Sequence, residues 1–436
     1  MIQTTDLRGL TPTHAQLLDL VPRSHADVGA ATDAARRLVD DVRERGAAAL
    51  RDQAARFDGV RPDALRVAQQ TIDDAVGALD PLVKEALVES IARVTQASRA
   101  QVPAATTTRP APGAVIEQRW QPVTRAGVYV PGGKAVYPSS VVMNVVPAQV
   151  AGVSSIALVS PAQREHAGGV HPVILGAAGL LGIGEVYAIG GAGAIGALAY
   201  GVPELELEPV QVITGPGNNF VAAAKQLVRG RVGIDSVAGA TEILVIADDS
   251  ADATLVAVDL ISQAEHDEEA SAVLVTDSAA FGDAVVAELT RLVPRTLSAA
   301  RVRTALSGRQ SAVVLVDDLR QAAAFSNAYG PEHLEIQTRD DDAVLADITD
   351  AGAIFVGPDT PVSLGDYLAG SNHVLPTSGQ SRFSSGLGAF TFLRPQQIVR
   401  YDADALGVVA ERLVALSNAE LLPAHGEAVA ARLSRP

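Results

Sequence analysis

Between residues 30 and 101 the apolar positions fall three and four apart. The stretches "AATDAARRLVDDVRERGAAALRDQAARF" and "TIDDAVGALDPLVKEALVESIARVTQAS" both keep this rhythm, which lines one face of an α-helix. Further on the apolar segments shorten. "AGVYVP", "SSIALVS", "EVYAIGG", "VQVITG", "TEILVIAD", "SAVLVTD", "SAVVLVDD", "HLEIQT" and "GAIFVG" are compact runs separated by stretches of helical spacing. Short strands that are apolar throughout, alternating with amphipathic helices, predict an α/β fold whose parallel sheets are covered on both faces.

The runs group into two blocks, 125–238 and 239–378. The helices of 27–124 need an apolar partner, and we expect them to complete the 239–378 block as one α/β domain, with 125–238 as a second. Residues 1–26 are expected to form a helical N-terminal segment. Beyond Gly379 the strand rhythm stops, and 379–436 reads as a helical tail interrupted at Pro423. A tail of this kind suits packing on another subunit.

Composition narrows the class. The chain has 436 residues, enough for two or more domains, and 48% of them are hydrophobic. Its formal net charge of −16 repels phosphate backbones and anionic lipid, so neither nucleic acid nor membrane is an expected partner. There are no cysteines, which excludes thiolate catalysis and Cys-ligated metal centres. The opening "MIQTTDLRGLTPTHAQ" lacks the basic start and apolar core of a signal peptide, and a cytoplasmic protein is expected.

Three Gly-rich turns follow strand candidates in the 125–238 block. "GGAGAIG" places Gly191, Gly193 and Gly196 in G-x-G-x-x-G spacing at the start of a helix, a context that suits pyrophosphate or simply close packing of small residues. The next strand ends in Gly rather than the acid a ribose would need. "GPGNNF" brings Asn218, which also suits an N-cap. "YVPGGKAVYPSS" carries Tyr129, Lys134, Tyr137 and paired serines. Together they point to a dinucleotide site.

Four polar constellations lie outside that block. In "ISQAEHDEEAS", Gln263 and His266 share a helix face, though His266 also suits a helix C-terminus. "SLGDYLAGSNHVLPT" holds Asp366 and His373 in a loop, where turn chemistry is the plainer reading. "AELLPAHGEA" holds Glu420 and His425, residues that would ordinarily be surface. In "YGPEHLEI" a Gly-Pro turn precedes Glu332 and His333, and an apolar strand follows. A histidine so placed suits a general base near neutral pH.

These motifs in this order resemble the histidinol dehydrogenase family. The similarity runs through most of the chain, including "GVYVPGGKAVYPSSVVMNVVPAQVAGV", "ITGPGNNFV", "GIDSVAGATEILVIAD", "SQAEHD", "NAYGPEHLEI", "GDYLAGSNHVLPT" and "SSGLGAFTFLR". The resemblance implies two domains with incomplete Rossmann-like sheets, and oxidation of L-histidinol to L-histidine through the aldehyde. It implies two NAD molecules reduced in turn, and one zinc per subunit held by Gln263, His266, Asp366 and His425. Glu332 and His333 match its proton-transfer pair. Thr241, His373 and Glu420 match substrate contacts, while Tyr129, Asn218 and Gly193 match positions at the cofactor. A homodimer is implied, with His425 and Glu420 arriving from the other subunit's tail. Gly193 stands where the family usually has Gln, and Gln149 where Lys is expected. These departures leave open a related dehydrogenase of another polar alcohol, such as a sulfonated diol. A zinc hydrolase using Glu332, or a binding protein without catalysis, are the readings from other classes.

Overall fold

Each of the nine apolar runs becomes a strand. The computed structural model describes residues 2–20, 22–23, 28–132, 136–237 and 239–434. It begins with β1 (Gln3–Asp6), and after the helices of 28–100 the hairpin β2 (Thr106–Ala111) and β3 (Ala114–Pro122) leads into the first run. That run is β4 (Arg125–Tyr129), β5 (Ser155–Ser160), β6 (Val186–Ala188), β7 (Val212–Thr214) and β8 (Gly233–Ile234). The second is β9 (Glu242–Ala247), β10 (Ser271–Thr276), β11 (Ala312–Leu315), β12 (His333–Gln337) and β13 (Ala353–Val356), and β14 (Leu393–Tyr401) closes the series.

The first run forms a parallel sheet of order β6-β5-β4-β7-β8. The second forms a parallel sheet of order β1-β11-β10-β9-β12-β13. Apart from the added β1, each places its strands third, second, first, fourth, fifth, the doubly wound order without its sixth strand. Both sheets are buried on both faces. In the second, Ile243, Val245 and Leu274 pack to one side while Leu244, Ile246 and Val273 pack to the other.

Three expectations need correcting. The helices of 27–124 do not complete the 239–378 block. Ala35, Val39 and Val42 pack with Ile195 and Leu198, and Ile72, Leu79, Leu87 and Val94 pack with Val128, Val142 and Ile174. Val128 lies on β4, and Ile195, Leu198, Val142 and Ile174 lie on helices that connect strands of the β4–β8 sheet. An amphipathic face dictates burial, but either sheet has apolar surface to receive it. The N-terminal segment is not wholly helical, because β1 pairs with β11 before the helix His14–Leu20. Nor is the tail free of strand: β14 pairs antiparallel with β3, in a three-stranded sheet completed by β2. The rest of the tail is helical, Ala403–Ala419 and Pro423–Leu433, with Val408, Leu416 and Leu421 exposed. No helix among the described residues is long and apolar enough to cross a membrane.

Candidate active site

A cleft of about 650 Å³ opens between strand ends of the two sheets. The β4–β8 sheet contributes the carboxyl ends of β4 and β7, its topological switch point, where open α/β sheets bind ligands. The second sheet contributes the opposite ends. Thr241 immediately precedes β9, and Glu332 and His333 sit at the start of β12.

On the second sheet, the Gly-Pro turn delivers two adjacent residues whose polar atoms stay close, Glu332 Oε2 lying 3.6 Å from His333 Nδ1. His333 Nδ1 donates to the carbonyl of Glu242 at 3.0 Å. A carbonyl only accepts, so the ring's proton is on Nδ1 and Nε2 carries a lone pair. That Nε2 is buried and has no protein partner. Burial lowers the imidazole's pKa, and the Asp366 carboxylate pulls it partly back. Glu332 lies beside the ring. Its Oε2 accepts from the amide of Glu242 at 2.9 Å and from the Thr241 hydroxyl, which in turn accepts from Gln263 Nε2. Burial outweighs these donors and pushes the Glu332 carboxyl up to about 8.

Residues distant in sequence converge on this pair. His266 ends the turn after the helix Ala253–Ala264, and Asp366 lies on the short helix Val362–Tyr367. Burial lowers the pKa of both His266 and His373, and in each case the Asp366 charge opposes it. His373 Nε2 lies 3.3 Å from Ser139 Oγ, which ties this loop to the other sheet's side of the cleft. Asn372 Nδ2 donating to the Met143 carbonyl at 2.7 Å makes the same connection.

On the first sheet, Tyr129 is buried against the Gly-rich helix start, its hydroxyl accepting from the Gly191 amide at 3.3 Å. Asn218 is an N-cap, accepting from the amides of Phe220 and Val221 at 3.1 Å each. This leaves its side-chain amide group for the cleft. Lys134 lies outside the described residues.

The other expected positions fall elsewhere. Gly193 does not line the cleft: a Cβ there would lie 2.2 Å from Gln53 Oε1, so a neighbouring helix's glutamine fills the space a side chain would need. Gln149 is also remote, its amide donating to the Leu181 carbonyl at 2.8 Å near the far end of the helix Pro138–Ala151. Neither departure alters the cleft wall. Glu420 and His425 are exposed on the tail and do not line this chain's cleft. Among the described residues, no three His, Cys, Asp or Glu side chains gather as a metal site within the chain. Sequence reasoning gave no role to Glu242, Lys225 or Asp235. The one available signal is a lysine inside the apolar run "FVAAAKQLV".

Below His333 the same face of β12 carries Glu335 and Gln337, with Gln337 Nε2 donating to Glu335 Oε1 at 3.1 Å. Burial, reinforced by the Asp259 charge, raises the Glu335 carboxyl far above its usual range. The folded chain therefore keeps a proton that the unfolded chain releases once pH passes the ordinary carboxyl value of 4.5, and stability falls as pH rises from there. Glu335→Gln keeps the volume and a donor but nothing to titrate. It is expected to raise the thermal midpoint at pH 8 and leave it unchanged near pH 4, which calorimetry at the two pH values checks. An equal shift at both would mean that Glu335 does not hold the extra proton.

Comparison with known proteins decides the family. The histidinol dehydrogenase family model matches residues 21–433. The chain belongs to the histidinol dehydrogenase family. Among its relatives, the histidinol dehydrogenase of Leifsonia xyli subsp. xyli is 70% identical over 431 residues, covering 99% of each chain. That of Nocardia farcinica is 55% identical over 430 residues, covering 98% of this chain and 97% of its own. The crystal structure of histidinol dehydrogenase from Elizabethkingia anophelis superposes with a TM-score of 0.91 at 30% identity, covering 99% of this chain and 98% of that one. Histidinol dehydrogenase similarity therefore extends over both sheets and the tail.

Proposed function

We propose that this chain oxidises L-histidinol to L-histidine through L-histidinaldehyde, reducing two NAD, as the last step of histidine biosynthesis. The observation that carries the mechanism is the orphaned Nε2 of His333, buried in the cleft with its other nitrogen fixed. Two groups the family implies suit the residues present. Gln263, His266 and Asp366 offer the oxygen and nitrogen donors zinc takes, and burial keeps His266 neutral. Gln263 spends its NH₂ on Thr241, which leaves its carbonyl oxygen as the ligating atom. His425 from a second copy in a homodimer would complete the set, with Glu420 beside it. NAD suits the Gly215–Gly217 turn and the helix start at Asn218, with Tyr129 behind. When bound, zinc holds and orients the substrate's imidazole and amine, and NAD takes the hydride at each oxidation.

The residues supply the proton chemistry. His333 Nε2 takes the hydroxyl proton as the C–H bond gives up its hydride, leaving the aldehyde. Glu332, in its ionised form, takes a proton from water as the water oxygen adds to the aldehyde carbon, while protonated His333 returns its proton to the carbonyl oxygen, giving the hydrate and a neutral imidazole. His333 then takes a hydroxyl proton from the hydrate in the second oxidation, and the carboxylic acid forms. A carboxyl near 8 exchanges its proton readily around neutral pH. His373 and Thr241 border the same space and serve substrate binding.

The test is the yield of NADH per L-histidinol consumed, using zinc-loaded protein and excess NAD. Two equivalents with histidine as product are expected. No NAD reduction by folded, metal-loaded protein would overturn the assignment.

A further inference from the structure

The cleft wall contributed by β7 depends on one residue, Gly215. Its φ is +115°, and a Cβ there would lie 2.0 Å from the Tyr129 carbonyl oxygen, so no side chain fits. A glycine in an open turn is free to reorient, yet here both of its polar backbone groups are tied. Its carbonyl accepts from Lys225 Nζ at 3.0 Å, and its amide donates to Asp235 Oδ2 at 2.8 Å. Lys225 and Asp235 are also paired with each other, their side chains only 2% and 5% exposed. Asp235 Oδ1 further accepts from the Ser236 amide at 2.7 Å.

A buried ion pair is a poor source of stability, because desolvating both charges offsets most of their attraction. What this pair does is geometric. Lys225 comes from the helix Asn219–Val228 and Asp235 from just beyond β8, and the two grip one residue from opposite sides. The gripped turn runs into Pro216, Gly217 and Asn218, all on the cleft wall.

We propose that Lys225 and Asp235 are positioning residues that hold the Gly215 turn in the conformation that receives the dinucleotide. The inference deepens the reading of this cleft as an NAD site and depends on it. Lys225 does not line the cleft and Asp235 does, with both of its carboxylate oxygens engaged by the Gly215 and Ser236 amides. With the pair removed, the turn samples other conformations and the cofactor must select the competent one, which lowers its affinity without altering His333 or Glu332.

The variant is Lys225→Met with Asp235→Asn. It strands no charge and keeps an acceptor for the Gly215 amide, while the carbonyl loses its donor. NADH binding is measured by calorimetry, alongside the KM for NAD, the KM for the alcohol, kcat and the thermal midpoint. We expect the NADH Kd and the NAD KM to rise about tenfold, with the alcohol's KM, kcat at saturating NAD and the midpoint close to the parent's. If the parent binds NADH and the variant binds it as tightly, the positioning role is wrong. If all constants deteriorate together with the midpoint, the pair merely supports the fold and the proposal again fails. If the parent itself binds no NADH, the nucleotide reading of the cleft falls, and the clamp with it. Should the double variant not fold, Lys225→Gln is measured instead against the same outcomes.

Discussion

His333→Asn is expected to lower kcat by about 10²–10⁴-fold, the contribution usual for a positioned general base. Asparagine is the informative replacement because its amide can still donate to the Glu242 carbonyl, the bond that anchors the imidazole at 3.0 Å. The variant thus keeps the start of β12 in place and removes only the lone pair on Nε2. His333→Ala, which also gives up the anchor, should lose a similar factor in kcat. It should lose stability as well, since the Glu242 carbonyl is left in a buried site without that donor. Glu332 stays in both variants, held by the Glu242 amide and the Thr241 hydroxyl. Because His333 serves both oxidations, turnover of added aldehyde is expected to fall along with turnover of the alcohol. Steady-state rates with each substrate, beside thermal midpoints, check this. A kcat within tenfold of the parent for His333→Asn would remove His333 from the proton-transfer step.

How much of this was visible in the chain depends on whether the physics is local. β4–β7 and β9–β13 stand out because strands covered on both faces must be apolar throughout. β2, β3 and β14 do not, because they form an antiparallel ribbon with much of its surface in water. "TTTRPA", "AVIEQRWQP" and "LRPQQIVRY" mix polar and apolar positions without a clear period. β8 has only two residues, too few to signal anything. The helices of 28–100 announced that one face is buried but not against which sheet, a choice made by chain connectivity and shape. In the site, "YGPEHLEI" and "SQAEHD" hold their polar residues in adjacent letters, and residues of both line the cleft. Gly193 misled because its effect depends on Gln53, a residue 140 positions earlier whose side chain fills that space. The Lys225–Asp235 grip is invisible for the same reason: each partner is an ordinary residue until the fold brings Gly215 between them. The raised Glu335 carboxyl comes first from burial and then from the Asp259 charge, and only the packing of helix on strand supplies both.

Mixing His425→Ala protein with His333→Ala protein, each inactive alone, is expected to restore about one quarter of the parent activity if the tail is exchanged in a two-fold dimer. In the hybrid, one site joins the intact His333 of one chain to the intact His425 of the other, while the second site lacks both. Random pairing makes half the dimers hybrids, and half of their sites are whole. A tail that serves its own chain gives the opposite result, since every site in every dimer then lacks one residue. Exposure along the tail is the reason to test for exchange. His425 and Glu420 are exposed and off the cleft of their own chain. Val408 and Leu416 are each 67% exposed on the preceding helix, and Leu421 is 86% exposed at its end. Apolar side chains bared along one short segment are what an interface covers. Subunit mixing must be shown independently, by mass spectrometry of differently tagged chains, and zinc content measured on each parent separates loss of metal from loss of base. His425→Ala is expected to lose zinc and His333→Ala to keep it. Mixed chains that remain inactive would place His425 outside the partner's site, and would leave zinc to be held by Gln263, His266 and Asp366 alone.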